Sequence, residues 1–292
     1  MDHFNYQEDI LFAEDVALTD IAKQYGTPSY VYSRATLERH AKAYTESFKS
    51  MDGLVCFSVK ALSNIAILKV LKKCGCGFDI VSGGELHRAL LAGADPQKII
   101  FSGVGKSKAE MAAGIKSNIL SFNVESESEL MALEVVAKEL NAIAPVAIRF
   151  NPGVDAGGHE FTKTGRKSDK FGVSINETMR LTDKCIKSNN LNIVGLTCHI
   201  GSQISELEKF KEAAAQSLKL LLDVEKLGAE LNFIDMGGGL GVTYVDEKTV
   251  QPHELIKCYE EIFQGRPERL IVEPGRSISA NAGILLTKFE YI

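Results

Sequence analysis

Asn232-Phe233-Ile234-Asp235-Met236-Gly237-Gly238-Gly239-Leu240-Gly241 is a short, mostly apolar run that stops at three consecutive glycines. The run is largely apolar on both parities, which is how a parallel strand covered on both faces reads. The glycines suit neither a strand interior nor a helix. They let backbone approach an anion and aim N–H groups at it, although a tight turn between strand and helix would use them as well. Seven further runs of the same character surround this one, at residues 54–59, 77–81, 98–102, 119–123, 145–150, 193–199 and 269–273.

Helical patterns separate the runs. Ser107-Lys108-Ala109-Glu110, Ser126-Glu127-Ser128-Glu129 and Ser205-Glu206-Leu207-Glu208 have the form of capping boxes. The last opens a segment with Leu207, Phe210, Ala214, Leu218, Leu221 and Leu222 on a helical period, closed by Gly228. Residues 63–73, 84–92 and 177–188 also read as helices. Eight buried strands alternating with helices predict an α/β fold, a (β/α)8 barrel, with a doubly wound open sheet as the competing architecture. About 30 residues precede the first barrel element, with Gly26-Thr27-Pro28 marking the way in.

Composition is that of an ordinary globular chain: 292 residues, net charge −5, 45% hydrophobic and 24% charged. The mild acidity and the lack of a basic cluster give no reason to expect nucleic acid. No run nears the roughly 18 apolar residues of a membrane span. The acidic, lysine- and arginine-free first fifteen residues do not resemble a secretory signal. The six cysteines are scattered, and neither they nor the histidines have metal-ligand spacing, so no metal is expected. A reducing, cytoplasmic setting is the expectation.

Nearly every run ends in a polar or glycine signature, and in a barrel these ends meet at one rim, where the active sites of this fold lie. Lys60 follows the first run; a crowded mouth would lower its pKa and free the amine to attack an aldehyde, although alone it reads as a surface lysine. The second runs through Asp79 into Ser82-Gly83-Gly84-Glu85. Arg149 ends the fifth, where it would neutralise an anionic oxygen or bridge core carboxylates such as Asp235. His199, in the sixth, is either a core histidine or a flat ring against a cofactor. Ser202 and Gly275 would add donors to an anion held by Gly237, Gly238 and Gly239. Glu273 ends the eighth run. It would hold a pyridine nitrogen protonated, or simply pair with Arg276.

Phe57-Ser58-Val59-Lys60-Ala61, Phe78-Asp79-Ile80-Val81-Ser82-Gly83-Gly84-Glu85, Arg149-Phe150-Asn151-Pro152-Gly153, Lys170-Phe171-Gly172, His199-Ile200-Gly201-Ser202-Gln203, the glycine run and Glu273-Pro274-Gly275-Arg276 together resemble the fold-type III pyridoxal-phosphate decarboxylases. The motifs stand in the family's order and span nearly the whole chain. His199-Ile200-Gly201-Ser202-Gln203 and residues 151–173, with His159 and Thr164-Gly165, are closer to members acting on meso-2,6-diaminopimelate than to those acting on ornithine.

The resemblance implies pyridoxal 5'-phosphate as cofactor and an amino acid as substrate. It implies that Lys60 bonds the cofactor aldehyde, that His199 stacks on the ring, and that Glu273 meets the pyridine nitrogen. Arg149 would lie near the phenolic oxygen, Asp79 would support the lysine, and Ser202, Gly237, Gly238, Gly239 and Gly275 would hold the phosphate. Arg276 would grip a substrate carboxylate. Family members continue into a C-terminal β-domain and form homodimers. On that pattern residues 1–30 would join the β-domain, 31–280 form the barrel and 281–292 begin a β-domain that this chain lacks, leaving its active site incomplete. Residues 10–12 and 285–286 are the strand-like parts of the two flanking segments.

Overall fold

The computed structural model describes residues 3–154 and 171–292. Strands β1 (Phe4–Gln7), β2 (Ile10–Ala13) and β3 (Val16–Ala17) form a small antiparallel sheet followed by helix α1 (Leu18–Tyr25). Strand β4 (Ser29–Tyr32) and helix α2 (Arg34–Thr45) lead to the main structure. Strands β5 (Gly53–Ser58), β6 (Gly77–Ile80), β7 (Ile99–Phe101), β8 (Ser121–Val124), β9 (Ala144–Arg149), β10 (Leu191–Thr197), β11 (Phe233–Asp235) and β12 (Arg269–Val272) pair in sequence order. β12 then pairs with β5, closing a parallel barrel. Strand β13 (Gly283–Leu286) returns antiparallel to β4.

Helices α3 (Ile65–Lys73), α4 (Gly83–Leu91), α5 (Lys108–Lys116), α6 (Glu127–Glu139), α7 (Ile175–Lys187), α8 (Leu207–Glu225) and α9 (Pro252–Ile262) follow successive strands. The short α10 (Arg276–Ser279) follows β12. Caps fix several helix starts at the rim. Ser82 accepts the Glu85 N–H, and Ser107 and Glu110 make a reciprocal capping box. Ser126 accepts the Glu129 N–H, while the Glu129 carboxylate turns to Lys106 and the Glu125 N–H.

The capping box expected at Ser205 does not form. Helix α8 starts at Leu207 without a side-chain cap. Ile204 is tied into an extended bridge with the glycine loop, donating to Gly239 O and accepting from Gly241 N, so the chain turns helical only afterwards.

The outward face of each barrel strand packs under the helices in one continuous apolar cluster. The inward face is divided by depth. Leu54, Cys56, Ile100, Ala147, Val194, Phe233 and Ile271 form a closed apolar plug. Phe233 fills it because Gly195 opposite has no side chain; a Cβ there would lie 2.4 Å from the Phe233 ring. Strand alternation puts the residue two further along on the same face. Registers then place Ser58, Asp79, Ser102, Asn123, Arg149, Thr197, Asp235 and Glu273 above the plug, at the C-terminal mouth.

Candidate active site

The mouth holds two adjoining cavities. One, of about 370 Å³, is lined by Lys60, His199, Ser202, Gly239, Gly275 and Arg276 among others; the second, of about 210 Å³, reaches Arg149 and Phe171. Lys60, His199 and Glu273 line both.

Lys60 lies just past its strand. β5 ends at Ser58, and residues Val59–Ala61 make a single 3-10 turn that lifts the lysine to the rim. Its Nζ donates to Asp79 Oδ2 at 2.8 Å, and the same oxygen accepts from Ser58 Oγ at 3.0 Å. The expected fall in its pKa is not what the geometry produces. Burial does act downward, but the charges of Asp79 and Glu273 outweigh it, and the ammonium is held above its ordinary value. Without another group at the site, Lys60 is a charged partner of Asp79.

His199 follows β10, with its Nδ1 accepting from Gly238 N at 3.2 Å. Desolvation, together with the charges of Arg149 and Lys60, pushes its pKa well below the ordinary value, so the ring is neutral near pH 7. The glycine run closes the rim by close packing. A Cβ on Gly238 would stand 2.2 Å from Glu273 O, and one on Gly239 2.4 Å from Gly201 O. Gly237 and Gly239 also adopt positive φ, at 66° and 111°. Gly237 and Gly238 thus hold neighbouring loops together, whereas Gly239, Ser202 and Gly275 face the cavity.

Arg149 does not bridge to Asp235. It donates to Glu125 Oε1 at 3.1 Å and lies 5.0 Å from the centre of the Phe171 ring. Glu125, almost fully buried, also accepts from Gly103 N at 3.1 Å and Gly172 N at 3.3 Å. The Glu273–Arg276 pair is likewise absent among the described residues. Arg276 instead donates to the Tyr244 hydroxyl at 2.9 Å across the open side of the cavity.

Glu125 and Tyr244 are the site residues that sequence reading passed over. Glu125 had a usable signal, an acid directly after an apolar run; Tyr244 had none. Lys163, Lys170, His159, Thr164 and Gly165 lie outside the described residues. Among the described residues no group of three potential metal ligands comes together, and no helix is long and apolar enough to cross a membrane.

Glu273 lies at the floor. Its N–H donates to Gly237 O at 2.7 Å and its carbonyl accepts from Ser58 Oγ at 3.2 Å, which fixes the backbone. The carboxyl is buried, and Oε1 has no hydrogen-bond partner. Burial pushes its pKa well above the usual range, and Asp235 and Asp79 push the same way.

A lysine and a buried acid facing one cavity at a barrel's C-terminal rim suit an aldehyde cofactor with a basic ring nitrogen. Comparison with known proteins narrows the class. Residues 34–280 match the family model "Pyridoxal-dependent decarboxylase, pyridoxal binding domain". The chain is 48% identical over 294 residues to a diaminopimelate decarboxylase of Vibrio cholerae and 47% identical over 292 residues to one of Pseudomonas aeruginosa. Each alignment covers 100% of this chain and 70% of the relative.

A crystal structure of diaminopimelate decarboxylase from Helicobacter pylori, complexed with L-lysine, superposes with a TM-score of 0.90 at 40% identity, covering 92% of this chain and 68% of that one. The chain belongs to the diaminopimelate decarboxylase group of the pyridoxal-dependent decarboxylases.

The residues present fit the family's cofactor. An amine stands at the rim for the aldehyde, and a buried acid offers an unpartnered oxygen to a ring nitrogen. Between them the wall carries Ser202 and two side-chain-free positions, Gly239 and Gly275, for a phosphate.

Proposed function

We propose that the chain is a pyridoxal-phosphate-dependent carboxy-lyase acting on meso-2,6-diaminopimelate and yielding L-lysine and CO2. The observation that carries the reading is the convergence of Lys60, His199 and Glu273 on one cavity, in a chain nearly half identical to diaminopimelate decarboxylases.

Bound there, pyridoxal phosphate supplies an electron sink for the carbanion left when CO2 departs. Lys60 would be the residue that bonds the aldehyde, and Asp79, 2.8 Å from its Nζ, orients the amine. Glu273 holds a proton at the ring nitrogen. His199, neutral and braced by Gly238 N, offers a flat ring as a wall without adding charge. Arg149, anchored by Glu125, would offer a positive charge to the phenolic oxygen. Ser202, Gly239 and Gly275 receive the phosphate, with Gly237 and Gly238 holding that loop in place. Arg276, steadied by Tyr244, offers a guanidinium to a substrate carboxylate. All six cysteines are free thiols, which suits a reducing, cytoplasmic setting.

The test has two parts. Borohydride reduction in the presence of pyridoxal phosphate, followed by peptide mapping, should label Lys60. A label on Lys106, Lys163 or Lys170 overturns the assignment, and no label marks a cofactor-free relative. Release of CO2 should be much faster from meso-diaminopimelate than from ornithine, arginine or lysine. Preference for ornithine or arginine would make the protein a different decarboxylase of this fold.

A further inference from the structure

Three acids and one lysine meet at the floor of the mouth, and their charges do not balance. Asp79 takes Lys60, at 2.8 Å. Arg149, the other nearby cation, is taken by Glu125. Asp235 and Glu273 are left without a cation, on adjacent strands and on the same inward face. Asp235 pairs in register with Ile271, and Glu273 stands two residues beyond. Both are buried. Asp235 Oδ1 accepts from Gly237 N at 2.8 Å, but Asp235 Oδ2 and Glu273 Oε1 are acceptors with no donor, as is Oδ1 of the lysine-paired Asp79. Two buried, donorless carboxylate oxygens side by side are costly if both groups are ionised, and one common proton satisfies both.

We propose that Asp235 and Glu273 share a single proton, and that Asp235 is a positioning residue which keeps that proton at Glu273 ready for the cofactor's ring nitrogen. That the group meeting Glu273 is a pyridine rests on the proposed function; the shared proton is a property of the cofactor-free chain. With a pyridine in the site, Glu273 would be the residue that supplies this proton to the ring nitrogen. Glu273 would then be the carboxylate that accepts the N–H, and Asp235 would add a second negative charge that resists loss of the proton to solvent.

The electrostatics run the same way. Burial pushes Asp235 up to about 6 and Glu273 well above its own ordinary value, and Asp235 adds to the rise at Glu273. The other titratable and charged groups around the pair are Asp79 on β6, Lys60 and Cys56 on or just after β5, Arg149 on β9, Cys198 and His199 after β10, and Tyr259 on α9. Burial pushes both thiols and the Tyr259 phenol up, to about 12 for Cys198, so these stay protonated and neutral at pH 7. His199 is neutral as well. None of these side groups supplies the missing positive charge.

Infrared difference spectra of the cofactor-free protein, taken from about pH 5 to about pH 9, span the range documented for buried acids. Wild type should keep a protonated-carboxyl C=O band at neutral pH, at the position of a hydrogen-bonded acid. Asp235→Asn retains the Oδ1 acceptor for Gly237 and should move loss of the band to lower pH by about one unit or more. Glu273→Gln should also remove the band at neutral pH.

Absence of the band in wild type overturns the proposal, as does an unchanged titration in Asp235→Asn. A band surviving in Glu273→Gln would show that Asp235 holds the proton alone. Should Asp235→Asn fail to fold, the wild-type band still decides, because a non-hydrogen-bonded acid frequency means a lone carboxyl and not a pair. With ¹⁵N-labelled pyridoxal phosphate bound, the ring nitrogen should lose its proton at lower pH in Asp235→Asn than in wild type. Failure of the Lys60 labelling would sink the proposed function and leave the infrared result standing.

Discussion

The barrel interior contains two layers built on the same strands one pleat apart. Below lie Cys56, Ile100, Ala147, Phe233 and Ile271, a dry plug; above lie Ser58, Ser102, Arg149, Asp235 and Glu273, a polar floor. Strand direction and register are shared, so backbone alone cannot explain the contrast. The plug contributes by excluding water and filling volume. The floor is costly, since buried charges need partners. It places them so that Asp79 satisfies Lys60, Glu125 satisfies Arg149, and one acid pair lacks a cation. A fold can carry such a floor because the layer beneath it is apolar and complete.

The sharpest way to break that contrast is to open the plug. Phe233→Ala leaves a cavity facing Gly195, which has no side chain to fill it. A loss of about 3–5 kcal/mol is expected for a buried Phe→Ala change. Chemical denaturation should show this as a lower midpoint, while borohydride labelling of Lys60 persists in the folded fraction. Loss of labelling in a protein still folded would show that plug and floor are not separable.

The complementary change is in the floor. Glu273→Gln keeps the shape and removes the ionisable carboxyl, so stability should hold or rise slightly. Turnover in an active enzyme should fall about 10²–10³-fold, the usual cost of removing a group that stabilises developing charge. Steady-state kinetics with matched cofactor saturation checks this. A wild-type kcat would make Glu273 a structural residue only.

A smaller effect is expected at the floor's edge. Glu125→Gln leaves Arg149 without its carboxylate and weakens the bonds from Gly103 and Gly172. The cost should be about 1–3 kcal/mol, as for an unsatisfied buried polar group. Thermal melts would read it, accompanied by weaker cofactor retention because Arg149 is no longer fixed. An unchanged melt would mean that Arg149 finds another partner.

Much of this was legible in the sequence because barrel strands are buried on both faces, so their apolar runs announce themselves without alternation. The residues at their ends were legible for the same reason: a lysine, acid or glycine after such a run stands out. Protonation and partnership were not. The state of Lys60 is set by Asp79 from the neighbouring strand, and Arg149 is held by Glu125, 24 residues away. Both depend on lateral register, which local pattern does not encode. Tyr244 reaches Arg276 from a loop without periodicity, and the start of α8 was shifted by Ile204's contact with the glycine loop.

The mildest test uses the plug's own thiol as a reporter. Cys56 is wholly buried, and burial together with the nearby acids Asp235, Glu273 and Asp79 pushes its pKa well above the ordinary value. Cys74, just past α3, is only half-buried, and burial raises its pKa to a lesser degree. The thiolate is the reactive form, so a raised pKa and lack of access both slow alkylation. In the native protein a small alkylating reagent should therefore modify Cys74 before Cys56, and Cys56 only on a timescale set by opening of the barrel. Mass mapping after timed exposure gives the order. In Phe233→Ala, Cys56 should react faster while Cys74 does not change, since only the plug has been loosened. Equal acceleration of both would indicate global destabilisation, and early reaction of Cys56 in the wild type would mean that the lower layer is not the closed core its packing describes.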